Sequence, residues 1–134
     1  MNEPHELRAR ALRWLSWAVE DLDLAQATLE ARGVVPRGAC AWAQQAAEKA
    51  LKALLVERDV DPPKSHDLAR LARMMPEFDP GASESSLDDL SRWSVEGRYP
   101  ADLAEATPRD ADLAVAAARE VVAAAMAVLR DCPG

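Results

Sequence analysis

Three clusters in this chain have residue types and spacing that can do chemistry. His66, Arg70 and Arg73 fall at i, i+4 and i+7, which on a helix sets two permanent positive charges and one titratable ring along a single side. Arginine grips a phosphate through two parallel hydrogen bonds, so the trio is a candidate anion site. The same charges also suit the solvent side of any amphipathic helix, and His66 also suits capping or orienting the Pro62-Pro63 turn. The second cluster is Gln44-Gln45-Ala46-Ala47-Glu48-Lys49-Ala50-Leu51-Lys52. Glu48 and Lys52 form a favourable i,i+4 ion pair, with Gln44 one turn before Glu48. This is either a solvated stripe opposite the alanines or a polar face offered to a second subunit or a nucleotide. The third is Arg92-Trp93-Ser94-Val95-Glu96-Gly97-Arg98-Tyr99-Pro100. Gly97 can stop a helix there and Pro100 forbids its continuation. Arg98 and Tyr99 then stand where the chain leaves the scaffold, either tying down a corner or forming a site.

Other chemistries lack their residues. The two histidines, His5 and His66, cannot supply the paired Glu-x-x-His ligands of a bundle di-iron site, and no glutamate has a histidine three places on. Neither a Gly-x-x-x-x-Gly-Lys loop nor a Gly-x-Gly-x-x-Gly fingerprint is present. Cys40 and Cys132 are too few for a disulfide framework or a zinc site and read as small apolar fillers. No metal and no cofactor is expected.

The elements that must position these residues are helices. Hydrophobic residues make up 49% of the 134, yet Phe and Tyr occur once each and alanine is abundant, which favours helix over strand. That length is one domain, 1–134, able to bury roughly two-thirds of its unfolded surface. The first helix is predicted over 4–32, with Leu7, Ala11, Trp14, Leu15, Ala18, Leu22, Ala25 and Leu29 on one face, and with Trp17 and Leu24 widening it. The second runs over 36–58, burying Ala39, Ala43, Ala46, Ala47, Ala50, Leu51, Leu54 and Leu55. Asp61-Pro62-Pro63 breaks the chain, and a short third helix follows Ser65 to about Met75. A fourth covers 87–96. Thr107-Pro108-Arg109-Asp110 provides a cap, a first-turn proline and an acid for a fifth helix over 108–130. The expected fold is all-α: an antiparallel up-and-down bundle of four to five helices.

Charge narrows the partners. The net charge of −7 argues against indiscriminate binding to a polyanion. Residues 49–73 nevertheless hold six bases against four acids, while 74–112 hold ten acids against three bases. An acidic chain with one basic strip suits a localised phosphate site, and equally a mixed solvated surface. No apolar run approaches the eighteen or so residues of a membrane span and the N-terminus has no signal-like core, so the expected compartment is the cytoplasm.

QQAAEKALK at 44–52, His66-Asp67-Leu68 after a Pro-rich turn, Arg98-Tyr99-Pro100 and an Ala-rich last helix, in that order, resemble the HEPN domain over nearly the whole chain. The resemblance implies a helical bundle that dimerises with a cleft between subunits. It also implies a two-component, toxin–antitoxin type system with a small nucleotidyltransferase on a separate chain, and binding of nucleotide or RNA. Arg98 would contact a phosphate, Tyr99 would stack or hydrogen-bond, and His66, Arg70, Lys49 and Lys52 would line the same strip. Some relatives are metal-independent ribonucleases using Arg, four to six residues, then His. A common variant is Arg, any four residues, His, any residue, Tyr; laid on this chain it matches Arg92 and Tyr99 but puts Gly97 in the histidine position. The expectation is therefore a binding protein without full nuclease activity. The alternatives are an endoribonuclease toxin using Arg92, Arg98 and Tyr99, or a non-catalytic helical adaptor.

Overall fold

A computed structural model describes residues 3–31, 35–95 and 105–130. Five helices follow one another: α1 (Pro4–Glu30), α2 (Pro36–Glu57), α3 (Leu68–Arg73), α4 (Glu84–Ser91) and α5 (Pro108–Arg130). The described residues contain no strand. Each long helix opens on a proline, whose fixed φ suits the first turn and whose missing N–H would have no intrahelical acceptor there. Asp110 and Thr107 close a reciprocal cap at the start of α5, Thr107 N–H donating to Asp110 Oδ2 at 2.9 Å and Asp110 N–H to Thr107 Oγ1 at 3.1 Å.

α2 is the central helix. It packs along α1 and α5 and also meets α3 and α4, so its surface is enclosed almost all round. All eight apolar positions expected on its inner face are buried, and Gln44, Glu48 and Lys52 are buried with them. The solvated stripe is thus corrected: the 44–52 polar face lies under α1 and the turn before α3. The alanines explain how, since small side chains let neighbouring helices approach the α2 backbone closely enough to cover it. On α1, Leu7, Ala11, Leu15, Ala18 and Ala25 are buried as the periodicity requires, while Trp17 and Leu24 stay 41% and 44% exposed.

The short helices depart from expectation for local reasons. Asp67 caps α3 by accepting the Arg70 N–H at 3.2 Å, so the helix starts at Leu68 rather than directly after Ser65. Ser83 caps α4 by accepting the Ser86 N–H at 3.1 Å, which moves that helix several residues earlier than the apolar spacing suggests. Ser91 joins the two, accepting from Leu68 N–H and donating to the Leu87 carbonyl, each at 2.9 Å. The connection between α3 and α4 passes α5 closely at Gly81. Its φ is +81°, and a Cβ there would meet the Glu120 carbonyl oxygen at 3.3 Å, so glycine serves both the turn and the approach. No helix is long and apolar enough to cross a membrane among the described residues.

Candidate functional site

The site is built on a buried carboxylate. Glu48 sits in the middle of α2 with its side chain 7% exposed, and three groups converge on it. Gln44 Nε2 donates to Oε1 at 3.0 Å, Lys52 Nζ donates to Oε2 at 3.1 Å, and His66 Nδ1 lies 2.7 Å from Oε1. Burial pushes the Glu48 carboxyl up, but the hydrogen bonds from Gln44, His66 and Lys52, with the Lys52 charge, together hold it below its ordinary value. An ionised carboxylate only accepts, so His66 carries its proton on Nδ1 in this contact. The i,i+4 steps from Gln44 to Glu48 to Lys52 thus line up a donor, an acceptor and a cation on one side of α2.

Gln44 fixes the rest. It is fully buried. Its amide nitrogen also reaches the His66 backbone carbonyl at 3.4 Å, and its Oε1 accepts from Gln45 Nε2 at 2.8 Å. The turn before α3 is therefore held to α2 twice, through the His66 ring and through its carbonyl. Ser65 Oγ accepts the Asp67 N–H at 3.2 Å and shapes the same turn. On the other side, Lys49 Nζ reaches Asp21 Oδ2 of α1 at 2.5 Å, with Asp21 8% exposed. Two enclosed acids, Asp21 and Glu48, so fix the ends of two lysines that stand about one turn apart on α2.

Several of these groups line a hollow of about 540 Å³. Gln45, Glu48, Lys49 and Lys52 of α2 form its base, Trp14 of α1 one wall, and Lys64 and His66 of the turn the other. Trp14 is half-buried against the core, and its ring and that of Trp17 form a T-shaped pair with centroids 5.4 Å apart. The arrangement can hold an anion against ammonium groups beside an aromatic side chain. Among the described residues, no three His, Cys, Asp or Glu side chains converge as metal ligands.

Three of the expected site residues, Lys49, Lys52 and His66, meet here. Arg70 does not line this hollow and is exposed on α3, and Arg73 pairs with Glu84 of α4. The trio read as one helical face is corrected, because His66 precedes α3 and turns toward α2 instead. Arg92 is elsewhere again: it lies over the Trp93 ring at 5.4 Å and lines a separate hollow between α4 and α5 with Asp89 and Asp110. Arg98 and Tyr99, with Gly97 and Pro100, lie outside the described residues, as does Cys132. Cys40 is buried and its thiol pushed up to about 11, chiefly by that burial, which fits an inert filler.

Sequence reasoning missed Trp14, Lys64 and Asp21 as site residues. Asp21 had a signal, a charge set between Ala18 and Ala25 on an otherwise apolar stripe. Lys64 had only its position two residues before His66. Trp14 was indistinguishable from core.

The family model for the HEPN domain matches residues 11–128. The crystal structure of TT1696 from Thermus thermophilus superposes with a TM-score of 0.72 at 30% identity, covering 87% of this chain and 95% of that one. No curated protein matches the chain.

Proposed function

The chain belongs to the HEPN domain family, and on that premise we propose that it works by capturing a phosphate-bearing ligand, nucleotide or RNA, in the hollow above Glu48. It does so as a homodimer, and as one part of a two-component, toxin–antitoxin type system whose other part is a small nucleotidyltransferase on a separate chain. The observation that carries the binding reading is a held set of donors: Lys52 and His66 anchored on one buried carboxylate and Lys49 on another, with the Lys64 ammonium exposed at the rim. Holding these groups in place before the ligand arrives removes much of the ordering cost of binding.

Full nuclease activity is not part of the reading. The position that the motif gives to histidine holds Gly97, and Arg92 and His66 line different hollows. General acid–base help is worth about 10²–10⁴ in rate, so a site without it retains little turnover.

Calorimetric titration with AMP and with a short oligoribonucleotide tests the binding. Lys64→Ala removes one charged contact without touching the buried network, and is expected to weaken binding about tenfold. Equal affinities for the parent and the variant at matched salt would remove the hollow from the function.

A further inference from the structure

We infer that the hollow takes a nucleoside monophosphate, one phosphate group held among the lysines and the base laid against Trp14. This deepens the binding reading above and rests on it. The charge count sets the phosphate number. Lys49, Lys52 and Lys64 bring three positive charges, and Asp21 and Glu48, in contact with the first two, bring two negative ones. The surplus is about one charge, plus whatever His66 carries. A phosphomonoester, with about 1.5 to 2 negative charges near neutral pH, exceeds that surplus by no more than about one charge. A triphosphate would put most of its charge against a surface with nothing to neutralise it, on a chain whose net charge is already −7. A continuous strand fares no better, since it needs a run of unpaired cations along its backbone.

The walls set the rest of the ligand. Lys64 stands on the turn before α3, whereas Trp14 stands on α1, with α2 between them. A phosphate drawn to the lysines therefore leaves its nucleoside facing an aromatic side chain that is held from behind by the core. Bases stack on such a side chain whatever their identity, because every base has a π-face. The volume, about 540 Å³, falls within the roughly 300–1,000 Å³ of small-molecule sites.

The test is a set of titrations of the full chain, at matched ionic strength, with AMP, ATP, adenosine, inorganic phosphate and a ten-residue oligoribonucleotide. Tryptophan fluorescence and calorimetry supply the readouts. AMP is expected to bind about tenfold tighter than either phosphate or adenosine, and ATP no tighter than AMP. Trp14→Leu should abolish the preference for AMP over phosphate while phosphate binding persists, and Trp14→Phe should restore part of it. The ligand order is read on the parent chain, so the inference stands or falls even if a variant fails to fold. ATP or the oligoribonucleotide binding tenfold tighter than AMP overturns the monophosphate and leaves the phosphate-capturing hollow in place, as does equal binding of AMP and phosphate. No binding by any of the five overturns both.

Discussion

Glu48 concentrates the energetics at the residue scale. Its partners Gln44 and Lys52 are enclosed, so deleting the carboxylate strands the Lys52 ammonium in a site 10% exposed. Breaking a buried pair from one side typically costs about 3–5 kcal/mol, whereas an exposed pair is worth about 0–1 kcal/mol. Glu48→Ala should therefore lower the urea midpoint far more than Glu84→Ala, whose ion pair with Arg73 is more than half exposed on both sides. Comparable midpoints for the two variants would show that the network is not held as described. The pH dependence follows the same carboxyl. Its folded value lies below the unfolded one, so its contribution is full above the ordinary glutamate range and is lost as pH falls from there through the depressed value. Acid unfolding followed by circular dichroism should lose that component in Glu48→Gln. The ion pair within QQAAEKALK could be read from the spacing. Its burial could not, because i,i+4 geometry is the same whether the face meets water or another helix.

Among the elements, α2 determines the rest. A helix covered on nearly every side must be lined with small residues wherever another backbone comes close, and Ala43, Ala46, Ala47 and Ala50 are all fully buried. Ala47→Leu adds three carbons with no space for them and should destabilise the chain by about 1–3 kcal/mol, seen as a lower thermal midpoint with the helical signal below the transition unchanged. An unaltered midpoint would mean that α2 is less enclosed than its neighbours imply. The three long helices were legible because proline starts, apolar periodicity and the Thr107–Asp110 cap all agree on their bounds. The short ones were less so. Side-chain caps at Asp67 and Ser83 set where they begin, and serine and aspartate occur at too many nearby positions for spacing alone to choose between them.

For the molecule as a whole, the acidic surface and the small basic hollow act in opposition. A localised site should lose affinity only gently with salt, with a log–log slope near one charge. A protein tracking several phosphates loses about 10³–10⁵ in affinity between 50 and 200 mM salt. A slope of several charges with an oligoribonucleotide would point to a different surface. Trp17, Leu24 and Trp42 are exposed large hydrophobics on α1 and α2, and a second copy covering some of them accords with the proposed homodimer. Light scattering over a wide concentration range should return twice the 14.6 kDa of one chain, and a lone protomer throughout would refute dimerisation.

The most direct test of the phosphate-binding hollow is a chemical-shift map of the ¹⁵N-labelled chain titrated with AMP. The expected result is saturable movement of the Trp14 indole and of the amides of Gln45, Lys49, Lys52, Lys64 and His66, with Ser86, Asp89 and Leu113 of the α4–α5 hollow still. Shifts confined to that second hollow, or none at millimolar ligand, would contradict it.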